Sequence, residues 1–570
     1  MLDTSSGAHF VLLILLVAFV LVLGRKNLYP KPYPGIPHNA HSANRIAGDV
    51  PDLIPAIKRS KASSEAIFSI TTHKLGTPIA QLLLPRIRAP MIILDDPREI
   101  EDILNRRGKE FDKSPFSLSV VGPMFSKATL AQFTTPELKA QKRLWADVMG
   151  IDFLRKTAAP MSYKSTLELI QFWRLKATTA CKDQAFNVLD DLKNAALDAV
   201  WVAVIGEEPG TLKYETKKLQ HQLTGQPFYE PAPPGAFMKE QVTYIVDTIM
   251  NSSETISPAW AVKWEVMTPR FRRFRKIVTN EMSRAMKKAV ARYESLDLDS
   301  LERDSSDTCA MDLVLRKQAL QAKKVGVKPS DPTKDAAMLD ELFAMLIGGH
   351  DSTANTLAWF IKFMEAFPQA QTELRAVLKT AFPGPGLPSL TDILDTDLPY
   401  LDAACEEALR LSGTANAVLR SPLRDTMILG YNVPKGAVVY MNTHVNRSPA
   451  PVDESRRSET SRASAERKGD GFKTPAGRDL GNFEPRRWLV KDEETGKEKF
   501  NPNALPALAF AGGVRMCFGK RLAVMQFRIA VTLLVLSFEF LELPKDRQSM
   551  SAVERLFRVP QQPFAKLHVL

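Results

Sequence analysis

Apolar residues recur between residues 90 and 410 at the intervals of three and four positions that mark one face of an α-helix. This spacing predicts helices at residues 97–105, 137–148, 165–180, 186–204, 238–251, 271–296 and 309–323. A longer pattern runs from Asp335 to about Ala366. Most globular helices are shorter, so we expect this one to cross the centre of the molecule.

Few stretches have the composition of β-strands. They lie at residues 91–94, 427–429 and 438–441, and a turn at Gly430 and residues 434–436 joins the last two into a hairpin-like segment. The predicted fold class is therefore mainly α with a small β-sheet region.

The first apolar run of the chain is unbroken from Phe10 to Leu23, and Arg25 and Lys26 follow it at once. Its length approaches the roughly 20 residues of a membrane-spanning helix, which predicts one N-terminal transmembrane helix. Because no Lys or Arg precedes the run, the positive-inside rule places the remaining chain in the cytosol. A cleaved signal peptide needs the opposite charge order and a small-residue cleavage site. A buried core helix is the other alternative.

The predicted organisation is a membrane anchor over residues 1–26, a proline-rich hinge over 27–44 and a catalytic domain over 45–570. Four prolines within residues 29–37 give the hinge a stiff, extended character. The length of 570 residues allows about four domains, but no linker interrupts residues 45–448, which favours one large domain. Residues 451–480 are rich in Ser, Arg, Glu, Lys and Gly, which predicts a disordered surface insertion.

Charge and cysteine content narrow the possible functions. The net charge of +12 fits an anionic membrane surface or an acidic protein partner, and we expect no nucleic acid. The four cysteines, Cys181, Cys309, Cys405 and Cys517, form no CxxC pair. This spacing excludes a disulfide framework or a zinc site and fits a reducing compartment.

The strongest chemical signal is a cysteine in a glycine-bounded loop, in the sequence Phe510-Ala-Gly-Gly-Val-Arg-Met-Cys-Phe-Gly519, directly before a helical pattern over residues 522–540. Gly513 and Gly519 permit tight turns, and the positive end of the following helix favours a thiolate at Cys517. Such a thiolate suits an iron ligand. Arg515 can pair with an anionic cofactor group, and Phe510 can shield the sulfur. A structural cysteine beside a glycine turn is the alternative.

This loop resembles the Phe-x-x-Gly-x-Arg-x-Cys-x-Gly motif of the cytochromes P-450, the haem-thiolate monooxygenases. The resemblance covers roughly residues 30–570 and, with the N-terminal run, is closest to the microsomal class of eukaryotes. It implies the cytochrome P-450 fold, heme b (iron protoporphyrin IX) as cofactor and Cys517 as the ligand of the iron. The implied reaction inserts one oxygen atom of O2 into a small molecule.

The long helix carries a second motif of this family in Gly348-Gly-His-Asp-Ser-Thr353, where a serine replaces the usual first threonine. The resemblance implies that Asp351 relays protons and that Ser352 orients water and hydrogen-bonds dioxygen. Thr353 shares this role. A solvated turn or a capping Asp-Ser pair is the alternative.

A third motif is structural. Glu407 and Arg410 share one helical face, so they can pair. The family joins such a pair to an arginine in a Phe-x-Pro-Glu-Arg-Trp segment, which Phe483-Glu-Pro-Arg-Arg-Trp488 resembles, so Arg487 completes the implied triad. Arg486 stands where the family usually has glutamate. We assign the triad to structure and haem incorporation rather than to chemistry.

Further cations are candidates for binding the haem propionates. Arg420 follows the Glu–Arg helix at the position where the family has a propionate-binding basic residue. In an earlier helix, Lys142 stands where the family often has arginine, and Arg143 is adjacent. A lysine binds a propionate as a point charge, without bidentate geometry. A solvated helix face is the alternative for each.

The resemblance also implies partners and a location. Electrons come from NADPH-cytochrome P-450 reductase, for which Lys520 and Arg521 form a candidate docking face. The substrate-contact regions are mostly apolar, which predicts a lipophilic small-molecule substrate. The protein is predicted to span the endoplasmic reticulum membrane once, in contact with membrane lipid, with its catalytic domain in the cytosol. The alternatives are a haem-thiolate isomerase or dehydratase that does not use O2, a non-catalytic haem-binding protein and a redox-switch thiol protein without haem.

Overall fold

The computed structural model describes residues 28–255, 257–294, 307–328, 331–469, 472 and 479–570. The predicted transmembrane helix and its anchor segment, residues 1–26, lie outside the described residues. Within the described ranges, no helix has the length and apolar character needed to cross a bilayer.

The helices and strands are numbered in chain order. The helices are α1 Ala40–Ala43, α2 Val50–Ser60, α3 Ser63–Ile70, α4 Thr72–Leu75, α5 Pro97–Asn105, α6 Pro115–Val121, α7 Pro136–Leu144, α8 Ile151–Phe153, α9 Ala159–Thr178, α10 Leu189–Ile205, α11 Thr211–Leu223, α12 Pro234–Ser253, α13 Pro258–Met267, α14 Pro269–Glu294, α15 Ala310–Lys324, α16 Ala336–Ala366, α17 Pro368–Ala381, α18 Leu390–Asp395, α19 Pro399–Ser412, α20 Glu459–Lys468 and α21 Lys520–Ser537. The strands are β1 Ile79–Leu82, β2 Met91–Leu94, β3 Phe111–Lys113, β4 Phe186–Asn187, β5 Ala417–Pro422, β6 Thr426–Ile428, β7 Tyr431–Val433, β8 Val438–Asn442, β9 Leu489–Lys491, β10 Glu498–Phe500, β11 Phe538–Leu541, β12 Ala552–Glu554, β13 Arg558–Pro560 and β14 Phe564–Val569.

The chain forms two compact units, each built from separate stretches of sequence. The first contains the residues up to Ser114 together with Ala417–Asn442 and Pro449–Glu466, and the second contains Pro115–Asn416, Thr443–Ser448 and Arg467–Leu570. The sequence predicts one catalytic domain because no linker separates these stretches. Each unit draws on separate stretches because strands far apart in the chain pair with one another, and the predicted domain boundaries stay predictions.

The first unit is organised around a five-stranded sheet with the order β1-β2-β8-β5-β3. Strands β2 and β8 pair in parallel, with Ile93 opposite Tyr440, and the other neighbours are antiparallel. The strand predicted at residues 91–94 is β2, and that at 438–441 lies within β8. The third predicted strand corresponds to β6, which forms a hairpin with β7 through a turn in which Leu429 and Gly430 have positive φ.

The segment predicted as a disordered insertion is ordered over residues 453–468, which corrects the prediction there; of these residues, those up to Glu466 belong to the first unit. Arg457 donates to both carboxylate oxygens of Asp96 at 2.7 and 2.8 Å, and Arg98 donates to both oxygens of Glu454 at 2.7 and 3.0 Å. Polar composition predicts disorder because few apolar groups are available for burial. Here bidentate ion pairs fix the backbone instead.

The second unit is helical and has α16 within its core. Asp335 caps this helix by accepting hydrogen bonds from the backbone N–H groups of Ala337 and Met338, and Pro368 follows its end. The predicted pattern from Asp335 to about Ala366 is confirmed by these bounds. Helix α16 packs against α10 along its length, and α9, α19 and α21 complete the same apolar core. Small sheets β11-β14-β4, β9-β10 and β12-β13 lie in this unit.

Candidate functional site

The cysteine loop precedes α21 and is closed by its own backbone. The N–H of Cys517 donates to the Phe510 carbonyl at 2.9 Å, and the N–H of Met516 donates to the Gly513 carbonyl at 3.0 Å. Gly513 has a φ of +63°, in the left-handed region that favours glycine. Gly519 has a φ of −82°. The turn therefore needs glycine at position 513, whereas no backbone requirement of this kind exists at 519.

Cys517 lines a cavity within the second unit. The residue is exposed, but the surface that it exposes is the wall of this cavity, and the surrounding protein still excludes enough water to raise the pKa of the thiol. The backbone N–H of Gly519 and the charges of Lys142 and Lys520 act in the opposite direction. A coordinated metal cation deprotonates such a thiol outright.

The cavity holds about 210 Å³ of space that a water-sized sphere can enter, and its mouth is open. Residues Gly348, Gly349, Ser352 and Thr353 of α16 line it together with Cys517. The remaining lining residues are Thr129, Leu130, Val148, Met149, Phe153, Val200, Ala203, Val204, Ala310, Glu341, Ala344, Met345, Phe510, Phe518, Gly519, Leu522, Ala523 and Gln526. Apolar side chains predominate.

Glycine occupies the two positions Gly348 and Gly349 of α16 for different physical reasons. A Cβ added at Gly348 would meet no heavy atom within 4 Å, so this position leaves space. A Cβ added at Gly349 would lie 2.6 Å from Cγ2 of Val200 on α10, so glycine here permits close packing of the two helices. Gly519 also leaves space, since a Cβ there would meet nothing within 4 Å.

Two of the three residues predicted for proton transfer line the cavity, and the third, Asp351, does not. Ser352 and Thr353 line the cavity, and the Ser352 hydroxyl donates to the Gly348 carbonyl at 2.5 Å. Asp351 is buried and is not a lining residue. One of its carboxylate oxygens lies 2.7 Å from Nζ of Lys193 on α10. Sequence reasoning missed Lys193 because no local pattern links it to a carboxylate 158 positions further along the chain.

The neighbouring His350 is wholly buried. Burial lowers the pKa of this histidine to about 4, against the attraction of Asp351, so the imidazole is neutral at pH 7. Neither ring nitrogen has a hydrogen-bond partner among the described residues.

The predicted triad forms a buried cluster. Oε1 of Glu407 accepts from Nη2 of Arg410 at 2.7 Å and from Nε of Arg487 at 2.8 Å. Oε2 accepts from Nε of Arg410 and from the indole N–H of Trp488, each at 2.8 Å. Sequence reasoning missed Trp488 as a partner, although it is part of the motif. Arg486, the departure from the family pattern, stays on the surface beside Glu373 and Glu498.

Two predicted propionate-binding cations lie beside the cysteine loop. Nη2 of Arg515 donates to the Gln132 carbonyl at 2.6 Å, and Nζ of Lys142 donates to the Val514 carbonyl at 2.7 Å. Partial burial and the charge of Arg515 lower the pKa of Lys142. Neither side chain is among the residues that line the cavity. Their propionate-binding roles remain predictions.

The other two predicted cations are placed differently. Arg143 follows Lys142 on α7, and its side chain is exposed. Arg420 belongs to β5 in the first unit, where it is buried and its Nη1 donates to the Leu419 carbonyl at 3.0 Å. Their roles toward a propionate also remain predictions.

The residues of the cavity fit a haem iron. Cys517 supplies the soft thiolate that iron accepts, and apolar side chains form most of the wall. Gly348 and Gly519 keep space free beside it, and Lys142 and Arg515 place positive charge next to the cysteine loop.

Comparisons with known proteins agree with this arrangement. A sequence model described as Cytochrome P450 matches residues 72–449 and 481–566. The cytochrome P450 monooxygenase TRI13 of Fusarium sporotrichioides is 30% identical over 97% of this chain and 98% of its own length. The cytochrome P450 monooxygenase xilC of Penicillium crustosum is 30% identical over 91% of this chain and 89% of its own. A solved structure titled as a cytochrome P450 (CYP102L1) has a similar fold, with a TM-score of 0.63, 17% identity and coverage of 95% of this chain and 100% of that chain.

Proposed function

The chain belongs to the cytochrome P450 family and is therefore a haem-iron monooxygenase that uses O2 and a redox partner to oxidise a small molecule. We propose a more specific activity for it. The cofactor is haem b, the substrate is lipophilic, and the electrons come from NADPH through a flavoprotein reductase. The observation that carries the proposal is one apolar cavity lined both by Cys517 and by Ser352 and Thr353.

A bound haem would supply dioxygen activation, and a thiolate ligand from the protein would favour O–O cleavage. Cys517 would hold the iron, and its loop is fixed by the hydrogen bond from the Cys517 N–H to the Phe510 carbonyl. The N–H of Gly519 and the charges of Lys142 and Lys520 favour negative charge on the sulfur. Phe510, also a lining residue, shields the sulfur from water.

In the proposed mechanism, Asp351 relays protons by accepting one from the solvent side and passing it on. Lys193 stabilises its carboxylate at 2.7 Å, within α10 and α16 rather than in the cavity. Ser352 and Thr353 carry hydroxyls at the cavity wall, next in sequence to Asp351. A proton therefore passes from the Asp351 side to a hydroxyl of Ser352 or Thr353, or to water that this hydroxyl orients.

A lipophilic substrate is supported by the composition of the cavity wall. Its buried carboxylate, Glu341, is already satisfied, because it accepts from both the N–H and the hydroxyl of Thr129 at 2.7 Å and from Gln141 at 3.1 Å. Burial also raises the pKa of Glu341. The wall thus offers a substrate mainly apolar contacts, which favours a ligand with few polar groups.

The proposed location is the endoplasmic reticulum membrane, with residues 10–23 as a single-pass anchor and the catalytic residues in the cytosol. The apolar run and the basic residues that follow it support this proposal. Lys520 and Arg521 are both exposed at the start of α21, directly after the cysteine loop. They are the proposed contact for an acidic face of the reductase.

The decisive experiment is the carbon-monoxide difference spectrum of the reduced, purified protein. We expect the red-shifted Soret band of a thiolate-ligated haem, and its loss in Cys517→Ala. Cys181→Ala is the matched control, since Cys181 does not line the cavity. A band that survives in Cys517→Ala contradicts the assignment. Reductase-dependent NADPH oxidation stimulated by an apolar compound then tests the electron source, and turnover without O2 would instead indicate an isomerase or dehydratase.

A further inference from the structure

Glu341 is a carboxylate of α16 that lines the cavity and is only 6% exposed. Its Oε2 accepts the backbone N–H of Thr129 and its Oε1 accepts the Thr129 hydroxyl, each at 2.7 Å. Oε2 also accepts from Nε2 of Gln141 at 3.1 Å. Hydrogen bonds to a charged group are stronger than those between neutral groups, so this carboxylate holds Thr129 firmly.

The preceding residue of α16 holds the same loop at a second point. Oδ2 of Asp340 accepts from the backbone N–H of Lys127 at 3.1 Å. We call residues 127–132 the wall loop, because Thr129 and its neighbour Leu130 line the cavity. The wall loop is therefore bonded to α16 through two adjacent carboxylates.

Two glutamines connect the wall loop to itself and to α7. The Lys127 carbonyl accepts from Nε2 of Gln132 at 2.6 Å and from Nε2 of Gln141 at 3.0 Å. Nε2 of Gln132 also donates to Oε1 of Gln141 at 3.0 Å. Because Gln141 bonds both Glu341 and the loop, the carboxylate acts on the loop directly through Thr129 and indirectly through Gln141.

The other side of the wall loop contacts the cysteine loop. Nη2 of Arg515 donates to the Gln132 carbonyl at 2.6 Å, and it lies 3.5 Å from the Thr129 carbonyl. A change in the position of the wall loop would therefore move the acceptors that hold this guanidinium. Through this contact, the hydrogen bonds of Glu341 bear on a cation two residues from Cys517.

Other roles for Glu341 fit the geometry less well. It lies 11 positions before Ser352 on the same helix, which is about 16 Å along the axis, so it is remote from the hydroxyls proposed for proton transfer. Its oxygens already accept three hydrogen bonds, so a polar substrate group would have to displace one of them. Its contacts serve the protein chain instead.

We propose that Glu341 is a positioning residue of this site, whose hydrogen bonds to Thr129 and Gln141 fix the wall loop. The fixed loop gives the cavity a defined shape beside Leu130 and keeps the Gln132 carbonyl in place for Arg515. The inference rests on the proposed function for what binds in the cavity. It goes beyond that function because it assigns ligand selection to the shape of one wall rather than to a polar contact.

Hydrogen–deuterium exchange of the wall loop in the purified full-length protein tests the positioning directly. We expect Glu341→Ala to speed exchange of the Thr129 N–H roughly 10- to 100-fold, because this N–H loses its bond to a charged acceptor. Glu341→Gln keeps the side-chain shape, and its amide can accept from the N–H and donate to the hydroxyl of Thr129. This variant should restore most of the protection. Unchanged exchange in Glu341→Ala would overturn the inference.

The effect on the cavity is measured with two iron-binding probes of different size, imidazole and phenylimidazole, whose dissociation constants are read from the Soret shift. Glu341→Ala should weaken phenylimidazole binding roughly 3- to 10-fold, because a loosened wall must be ordered when a bulky ligand binds. Imidazole, which reaches the iron without filling the cavity, should bind with nearly unchanged affinity. Glu341→Gln should restore phenylimidazole binding.

Asp198→Ala is the matched control. Asp198 of α10 is also 6% exposed and accepts both the N–H and the hydroxyl of one threonine, Thr211, at 3.1 and 2.7 Å, but it does not line the cavity. Its replacement should lower the stability of the fold as Glu341→Ala does. The ratio of the two dissociation constants should stay as in the unmodified protein.

Two further results would overturn the inference. An equal change of this ratio in both alanine variants would indicate a general loss of structure. Phenylimidazole binding as weak in Glu341→Gln as in Glu341→Ala would assign the effect to charge rather than to positioning. Failure of the proposed function is recognised separately, by the absence of a thiolate-type Soret band in the unmodified protein, and the exchange measurement is informative in either case.

Discussion

Lys193 and Asp351 form an ion pair between α10 and α16, with 2.7 Å from the lysine Nζ to a carboxylate oxygen. Both side chains are largely buried, and the next two residues after Asp351 line the cavity. The pair therefore holds the Asp351 carboxyl group close to the cavity but outside its wall. Replacing Asp351 should mainly change turnover, whereas replacing Lys193 should also lower the stability of the fold.

We expect Asp351→Asn to lower turnover by about 10²-fold, because a positioned group that accepts and passes on protons contributes roughly 10²–10⁴-fold. Substrate binding, read from the spin-state shift, should change little because Asp351 does not line the cavity. The solvent deuterium isotope effect on turnover should rise as proton delivery becomes rate-limiting. Unchanged turnover and an unchanged isotope effect would exclude Asp351 as the proton relay.

Replacement of the lysine provides a control for this assignment. Lys193→Met removes the cation that pairs with Asp351. Lys176→Met likewise removes the cation 2.6 Å from the carboxylate of Asp191, which keeps a hydrogen bond from the indole N–H of Trp173. Both variants should lose stability, by about 3–5 kcal/mol each for a buried pair that loses one member. Only Lys193→Met should change the solvent isotope effect. An equal change in both would point to a general loss of structure.

Alanine substitution of the two adjacent arginines, Arg486 and Arg487, should change the free energy of unfolding by very different amounts. Arg487 is 10% exposed and contacts the buried Glu407, whereas Arg486 is 53% exposed. We expect Arg487→Ala to lower the free energy of unfolding by about 3–5 kcal/mol and to reduce haem incorporation, because it leaves a buried charge less compensated. Arg486→Ala should cost about 0–1 kcal/mol. Urea titration and haem content per chain measure both. Similar losses in the two variants would contradict a structural role specific to Arg487.

Gly348 and Gly349 form a second adjacent pair. We expect Gly349→Ala to destabilise the fold by about 1–3 kcal/mol, because the new methyl overlaps Val200. Val200→Ala should partly rescue it in the double variant. Gly348→Ala should leave the free energy of unfolding unchanged or raise it by up to about 1 kcal/mol, because alanine favours the helix. The new methyl group enters the cavity, so binding of bulky ligands should weaken. Thermal unfolding and spectral binding titrations separate the two effects.

A buried carboxyl far along α16 predicts a pH dependence of stability. Burial raises the pKa of Glu365 to about 8, although Lys362 opposes the shift. The folded state therefore keeps a proton that the unfolded state releases, and stability falls as pH rises from about 4.5 to 8. Glu365→Gln should remove this loss, which amounts to no more than about 5 kcal/mol. Denaturant titrations at pH 5 and pH 8 test it, with the exposed Glu542→Gln as control. A parallel pH profile in Glu365→Gln would refute the assignment.

The sequence predicts best the elements whose pattern and caps agree. Helix α16 is bounded by a capping Asp335 and by Pro368, and its apolar positions are continuous, so its extent is readable from the sequence. Helix α13 was missed for the opposite reason. Trp260 and Trp264 face solvent while Val262 is buried, so apolar residues lie on both sides of the helix and give no amphipathic period.

Within the site, the sequence predicts residues that belong to short motifs and misses partners supplied by distant elements. Cys517, Ser352 and Thr353 meet at one cavity as their motifs imply. Lys193 carries no local signal, because its role depends on how α10 packs against α16. Arg515 donates to the Gln132 carbonyl, a contact that depends on the conformation of a separate loop.

The hydrogen bonds of Arg410 also bear on how this chain can change over evolution. Its Nη1 donates to the carbonyls of Val445, shortly before the stretch 450–480 that the family sequence model does not match, and of Leu480, the last residue of that stretch. Both stems of this loop are thus fixed at one guanidinium. Since doubling the length of a closed loop costs only about 0.6 kcal/mol, insertions and deletions can accumulate there without shifting the register of the residues that lead to Cys517. Arg410 thereby separates the length of this stretch from the position of the cysteine loop.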